Sequence, residues 1–340
     1  MHYLVTGHTG FKGAWLTALL VARGHVVSGI SLDPDPKSLF LKGNLSDLLL
    51  HDFRLDIRNS LELDNAFKVI EPDVIIHMAA QSQVIESYNS PVETFETNVN
   101  GTLNVLNGIN KIKSLKSVLI ITTDKVYRNQ GNLHRYVETD PLGGSDPYSS
   151  SKAMADLLTQ SWQKSFQTVP IGIARAGNVI GGGDHSPNRL IPNLMEKIMN
   201  GEKPIIRNPG SIRPWQHVLD CLNGYLYLVD HLTTKKENGV WNFGPSEEVC
   251  RTVEDVANLV IESTSPELSW IQSVEDSPPE EKMLLIDSAK ARKELSWAEK
   301  YNFETSVRKC VQWYMENNSK TVAEQVIEEV DFFSNFNKTQ

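Results

Sequence analysis

The chain has 340 residues, 40% apolar and 22% charged, enough to bury one large core or a core with an appended lobe and too apolar for long internal disorder. Its 33 basic and 42 acidic residues leave a net charge of −9, which argues against a nucleic-acid partner, and no basic block marks a membrane-surface patch. The three cysteines, Cys221, Cys250 and Cys310, are too scattered for a metal site and suit a reducing compartment.

The opening MHYLVTGHTG lacks the charged lead and apolar core of a signal peptide. No apolar run approaches the roughly 20 residues of a membrane helix, so the expectation is a cytoplasmic protein with no membrane partner. Short β-rich runs then alternate with stretches of helical spacing. Strands are predicted at His2–Thr6, Val26–Ser31, Val74–Met78 and Val118–Thr122, and helices at Phe11–Arg23, Ser60–Ile70 and Pro91–Lys111. A further helix is predicted from Pro147 to about Phe166, followed by a strand at Ile171–Ala174. Runs such as VIIHM and VLIIT read as continuous apolar sequence, as strands covered on both faces do. Residues 177–217 are loop-like, a strand signal returns at Gly239–Phe243, and 317–340 read as a polar, fraying tail with one weak amphipathic turn. The expected architecture is α/β: a Rossmann-type doubly wound parallel sheet over 1–175, completed by a strand near 239–243. A smaller C-terminal substrate-binding lobe follows over 176–316.

GHTGFKG follows the first strand and opens the first helix. Gly7, Gly10 and Gly13 serve a tight turn, close backbone approach to a pyrophosphate and close helix–strand packing, while the helix N-terminus offers free amides to the phosphates. Asp33, 20 residues past Gly13 at the end of the second strand, is placed for the adenosine ribose hydroxyls. It would repel a 2′-phosphate, so NAD is expected rather than NADP. Asp56, after the third strand, either contacts the adenine or is a loop carboxylate or helix cap.

Tyr148 and Lys152 stand four apart in DPYSSSKAMAD, on one face of a helix. An ammonium beside a phenol favours the phenolate, which can take a proton from a sugar hydroxyl as hydride leaves. The fifth strand ends in Thr122, Thr123, Asp124 and Lys125, where open α/β sheets bind ligands. Thr123 can bridge substrate and tyrosine. An adjacent acid and amine add a second chemistry, removal of a proton from one carbon and protonation of a leaving hydroxyl on the next.

On these residues the chain resembles the extended short-chain dehydrogenase/reductases, and within them the nucleotide-sugar 4,6-dehydratases, closest to the CDP-glucose 4,6-dehydratases. The matching stretches are VTGHTGFKG (5–13), AAQ (79–81), PVETFETNVNGT (91–102), TTDK (122–125) and DPLGGSDPYSSSK (140–152). They continue with RAGNVIGGGD (175–184), RLIP (189–192), IRNP (206–209), RPWQHV (213–218) and WNFGP (241–245). The resemblance implies oxidation at C4 of a nucleotide-bound hexose, loss of water across C5 and C6 and return of the hydride to C6, on one held NAD. Tyr148 would be the base of the oxidation, Asp124 the acid of the elimination, and Lys125 its base or a hydrogen-bonding positioner.

The resemblance also implies that Thr9, Phe11, Ile57, Ala79, Ala80, Asn98 and Thr122 join the glycines, Asp33, Asp56, Tyr148 and Lys152 around the cofactor. For Asn98 the reading as a buried amide fixing the sheet stands ahead of the cofactor contact. Gln81, Ser82, Thr123, Asn178, Arg189, Leu190, Arg207 and Arg213 would hold the substrate, Asn178 and Arg213 at its diphosphate. His217 would help at either site or be a structural imidazole. No metal is expected. A homodimer through helices near 91–111 and 148–166 is implied. The chain departs from the family at Thr123, at Arg128 within Tyr127-Arg128-Asn129, and at Ser82, Gln83 and Ile85, all flanking the sugar. The alternatives are a nucleotide-sugar 4-epimerase or reductase on the same fold, a dehydratase of another hexose, and a non-catalytic NAD sensor.

Overall fold

The computed structural model describes all residues except 131–133, 167–168, 247–250, 274–282, 317–318 and 337–340; Cys250 lies outside the described residues. Seven strands form one parallel sheet: β1 (His2–Thr6), β2 (Val26–Ser31), β3 (His51–Arg54), β4 (Val74–His77), β5 (Ser117–Ile121), β6 (Ile171–Ala176) and β7 (Gly239–Phe243). Their order is β7-β6-β5-β4-β1-β2-β3, with the reversal between β1 and β4 that opens a crevice at the strands' carboxyl ends. The strands read as continuous apolar runs because their residues alternate between two covered faces. Tyr3, Val5, Val74, Ile76, Leu119 and Ile121 enter one core cluster, and Leu4, Ile75, Val118 and Ile120 enter the other.

The second cluster is closed by α2 (Ser60–Ile70) and α3, which runs through Pro91–Phe95, a π-helical turn at Glu96–Asn100, and Gly101–Gly108. On the same side, α4 spans Pro147–Ser165. Its start is set by Asp146, whose carboxylate accepts the Ser149 N–H at 2.9 Å, and by Pro147 in the first turn.

The first cluster is closed by α1 (Phe11–Ala22) and a helix at Val218–Lys235, here α6. It continues without a break into α5 (Leu190–Met199), α7 (Val253–Thr264) and α8 (Phe303–Met315) of the C-terminal part. Among the described residues three two-stranded ladders tie the loops of that part together, one of them Val179–Ile180 with Gln216–His217, and a fourth pairs Leu285–Ile286 with Arg135–Tyr136 of the loop after β5.

The expected fraying tail is instead a helix over much of its length. Residues Val322–Asn335 form α9, opened by a reciprocal Thr321–Glu324 capping box. Val326, Val330 and Phe333 are buried in the first cluster, with α9 packed on α1. These three share one helical face among many glutamates, so a polar composition concealed an amphipathic pattern.

Candidate active site

A cavity of about 840 Å³ opens at the carboxyl ends of β1, β2, β4, β5 and β6 and runs beneath the C-terminal part. At one end the glycine loop presents backbone to it. Gly7 has φ of +76°, and a Cβ there would lie 2.7 Å from the Ala79 nitrogen. A Cβ on Gly13 would lie 2.2 Å from the Gly7 carbonyl oxygen. Gly10 is different: a Cβ there would meet only the Gly7 oxygen, at 3.4 Å. No packing within the protein excludes a side chain at Gly10, but a ligand lying against it would. Gly10 is also the N-cap of α1, which has neither a side-chain cap nor an acidic residue in its first turn. Its amides are left to an anion. Thr9 ties the loop to β2, its Oγ1 bonding Ser31 Oγ at 2.7 Å.

Thr9, Phe11, Ile57, Ala79 and Ala80 all line this end. Asp56 lines it too, with both oxygens engaged: Oδ1 accepts the Arg58 N–H at 2.8 Å, and Oδ2 accepts the guanidinium at 2.6 and 2.9 Å. These bonds, the guanidinium's above all, hold the Asp56 carboxyl below its usual range. Asp56 is not a helix cap; Asn59 caps α2. Asp33 stands exposed, one residue beyond the wall residue Leu32 and outside the cavity lining.

At the other end, titratable side chains replace backbone. β5 ends at Ile121, and Thr123 caps the short turn Asp124–Val126, its Oγ1 accepting from Lys125 N at 3.4 Å and donating to Asp124 Oδ1 at 2.9 Å. Asp124 is 1% exposed and its Oδ2 has no partner. Burial pushes its carboxyl up, against the pull of Lys125, Thr123 and Arg213. Gly177 makes this arrangement possible, since a Cβ there would lie 1.9 Å from Asp124 Oδ2. Lys125 is partly exposed and lines the same space.

Tyr148 and Lys152 reach this wall from the first turns of α4. The coupling expected between them takes another form. Burial pushes the Tyr148 phenol up to about 12, and what opposes it is a hydrogen bond with Thr123 and the charge of Arg189. Lys152 donates to the Ile121 carbonyl at 2.8 Å, and burial followed by the charge of Lys12 brings its ammonium down to about 8. Behind Lys152, one turn along α4, Asp156 is locked by Arg175 from β6 through two bonds of 2.8 Å, with Thr122 Oγ1 donating to the same carboxylate at 3.0 Å. Thr122 therefore faces the cavity while spending its hydroxyl on this buried pair.

Ser82, Asn178, Arg189, Leu190, Arg207 and Arg213 line the cavity under the C-terminal part. Besides Asp33, three expected site residues do not. Asn98 is buried, its amide donating to Gln81 O and Ser151 Oγ and accepting from Gln81 N. It braces the loop after β4 from α3, so the cofactor contact does not stand. Gln81 turns its side chain to Gln83 and Thr94, away from the sugar position expected of it. His217 is buried at the start of α6, where Nδ1 accepts from Leu219 N at 3.3 Å and the ring packs edge-on to Tyr301. Burial and then Lys309 hold this imidazole down to about 3. It is the structural imidazole of the two readings.

Sequence reasoning missed Lys12, which lies on the wall inside the glycine motif, and Arg58 and Gly177. The signal for Lys12 was its place in GHTGFKG, but its partner, Tyr225, is 213 residues away. Among the described residues no cluster of His, Cys, Asp or Glu fit for a metal ion occurs.

Residues 4–310 match the family model described as GDP-mannose 4,6 dehydratase. A CDP-glucose 4,6-dehydratase of Salmonella typhimurium is 40% identical over 321 residues, 91% of this chain and 89% of that protein. A probable dTDP-glucose 4,6-dehydratase of Sinorhizobium fredii is 31% identical over 93% of each. Among solved structures, a dTDP-glucose 4,6-dehydratase of Bacillus anthracis in complex with NAD superposes with a TM-score of 0.79 at 26% identity, covering 93% of this chain and 97% of that one. A UDP-glucose 4-epimerase of Thermotoga maritima, 21% identical with a TM-score of 0.81, shares the fold.

Proposed function

This chain belongs to the GDP-mannose 4,6-dehydratase family of nucleotide-sugar 4,6-dehydratases, and we propose that within it the substrate is CDP-glucose and the product CDP-4-keto-6-deoxyglucose. The protein is an NAD-dependent hydro-lyase. The cleft fits NAD: Gly10 leaves open a surface that no protein atom needs, and the uncapped α1 amides suit a diphosphate. Gly7, Thr9, Gly10, Phe11 and Gly13 would hold that diphosphate, Asp33, Asp56 and Ile57 the adenosine, and Ala79, Ala80, Thr122, Tyr148 and Lys152 the nicotinamide half. When bound, NAD supplies a reversible hydride acceptor and donor.

The observation that carries the reading is Asp124, a buried carboxyl with one free oxygen beside the Thr123–Tyr148 pair. Epimerisation or simple reduction has no use for it. In the first step Tyr148, through Thr123, takes the proton of the C4 hydroxyl. The ketone left at C4 acidifies the C5 proton. Asp124, whose hold on its proton burial strengthens, gives that proton to the C6 hydroxyl, and water leaves. Lys125 removes the C5 proton or holds the sugar for that removal. Arg213 and Asn178 serve the diphosphate of the substrate, with Arg189, Leu190 and Arg207 at its nucleoside and Ser82 at the hexose.

The choice of CDP-glucose rests on the 40% identity to the Salmonella enzyme. Incubation with CDP-glucose, dTDP-glucose and GDP-mannose in turn tests it. The expected result is a product lighter by one water and absorbing in base from CDP-glucose alone; a product that keeps its C6 hydroxyl would overturn dehydration. A Lys125→Met variant is expected to oxidise C4 and stall before elimination, and normal turnover by it would remove Lys125 from the mechanism.

A homodimer is part of the same proposal. Val92 and Leu103 on α3 and Met154 and Leu157 on α4 are exposed large apolar residues, which supports pairing through helices near 91–111 and 148–166. The unpaired, buried thiols of Cys221 and Cys310 support a cytoplasmic setting.

A further inference from the structure

Between β4 and the short helix Val84–Asn89 the backbone forms neither strand nor helix, yet Ser82, Gln83, Val84 and Ile85 all line the cleft. Two side-chain amides hold this segment in place of a neighbouring strand. Asn98 of α3 clasps the backbone of Gln81: its Oδ1 accepts the Gln81 N–H at 2.8 Å, and its Nδ2 donates to the Gln81 carbonyl at 3.0 Å. Gln81 repeats the device on Gln83. Its Oε1 accepts the Gln83 N–H at 2.5 Å, and its Nε2 donates to the Gln83 carbonyl at 3.1 Å and to Thr94 Oγ1 of α3 at 2.9 Å. Ser82 is held between the two clasps. The chain of bonds continues to the opposite wall: Asn98 Nδ2 also donates to Ser151 Oγ at 2.8 Å, and Ser151 Oγ donates to the carbonyl of Tyr148 itself at 2.8 Å. Every group along it is an amide, a hydroxyl or a backbone peptide, and none titrates near neutral pH.

We propose that Gln81 is a positioning residue: through its clasp on Gln83 it fixes Ser82 in register with Tyr148, and so sets the C4 hydroxyl of the hexose against Thr123 and Tyr148. The polar atoms of its own side chain are spent on Gln83 and Thr94. The clasp needs one acceptor and two donors at the end of an unbranched stem, which glutamine has and a carboxylate of the same shape lacks, since ionised it only accepts. A glutamate at this place would set an anion against two oxygens already committed elsewhere: Thr94 Oγ1 donates its proton to the Ser90 carbonyl at 2.9 Å, and the Gln83 carbonyl accepts the Ser87 N–H at 3.1 Å. A loop displaced by about 1 Å costs on the order of 10²-fold in a reaction that depends on near-attack geometry. The nucleoside diphosphate, held by Arg213, Asn178 and the C-terminal part in the proposed mechanism, loses nothing by the same displacement.

This role for Gln81 rests on the placement of the hexose against Ser82 proposed above. Dehydration by the wild type tests that placement's reaction, and the change from wild type to variant tests the clasp; should another of the three nucleotide sugars be the one that turns over, the comparison runs on that sugar and its own nucleoside diphosphate. Gln81→Glu and Gln81→Met are compared with Thr94→Val, which removes the hydroxyl acceptor, and Thr94→Ser, which keeps it. Steady-state kinetics on CDP-glucose give kcat and KM, and titration calorimetry gives the dissociation constant of CDP, which has no hexose. In both Gln81 variants kcat is expected to fall about 100-fold while the dissociation constant of CDP stays at the wild-type value. Thr94→Val is expected to lower kcat about fivefold, the weight of one hydrogen bond, and Thr94→Ser to restore it, so the Thr94 pair decides the matter should a Gln81 variant fold poorly. Weakening of CDP by the same factor as the fall in kcat/KM would make Gln81 a general support of the cleft, and an unchanged kcat would mean that the clasp does not set the hexose; either result overturns the proposal.

Discussion

The two ends of the cleft are built on opposite plans. At the end formed by Gly7, Gly10 and Gly13, recognition is written in backbone: close approaches and an uncapped helix, with the carboxylate beside them, Asp56, already satisfied by Arg58. At the other end Asp124, Lys125, Tyr148, Lys152 and Lys12 line one space, and burial is the chief displacement of the proton affinities of Asp124, Tyr148, Lys152 and Lys12. The first plan binds a constant ligand by shape. The second stores electrostatic cost where bonds are to be made and broken, at the expense of stability.

That contrast predicts that damage at one end should leave the other intact. The largest effect is expected from Asp124→Asn, which keeps the shape and loses the transferable proton. Dehydration should slow by on the order of 10³-fold, with NAD binding unchanged and the melting temperature raised, measured by product formation, cofactor titration and calorimetry. Because burial raises the Asp124 carboxyl, the native protein holds a proton that the unfolded chain releases. The residue therefore costs stability as pH rises above the ordinary carboxyl range, and the asparagine variant should gain most at neutral pH.

Lys152→Met probes the same stored cost with the opposite sign. The native ammonium titrates at about 8 against 10.5 in the unfolded chain. The wild type is penalised in full below pH 8 and recovers as pH climbs through that window, since there the unfolded state binds more protons. The methionine variant should be the more stable by on the order of 3 kcal/mol at pH 7, reduced by the lost bond to Ile121, and its advantage should fade by pH 10.5 in denaturant melts. The smallest of the three effects belongs to the backbone end. Gly13→Ala drives a Cβ against the Gly7 oxygen and should weaken NAD binding about thirtyfold, as an overpacked contact of ~2 kcal/mol does, without altering the pH dependence of elimination in the saturated enzyme. A Gly13→Ala variant that shifted this pH dependence would break the contrast.

The sheet was legible because its central strands, such as Val74–His77 and Ser117–Ile121, read as apolar runs covered on both faces; His51–Arg54, polar and half exposed at the sheet edge, gave no such run. The boundaries of β1, β2 and β7 fall where the sequence puts them. The Tyr148–Lys152 spacing and the TTDK turn were legible because both are local. What was hidden depends on distant partners. Asn98 is a brace because Ser151 and the backbone of Gln81 surround it. His217 is structural because Tyr301 and Lys309 lie against it. Lys12 drew no reading of its own, because Tyr225, 213 residues away, reaches it only through α6. The effect of Lys152 on Tyr148 was misjudged for the same reason: spacing along a helix gives proximity, but Ile121 decides where the ammonium points.

The seating of α9 on α1 joins the far end of the described chain to the helix that opens directly from the glycine loop. On the ribosome, α1 emerges long before α9, and its outer flank stays bare until residues through Asn335 have cleared the exit tunnel. The dinucleotide loop is therefore finished late, and a nascent chain stalled short of α9 would carry the whole signature motif on a helix still missing one of its walls.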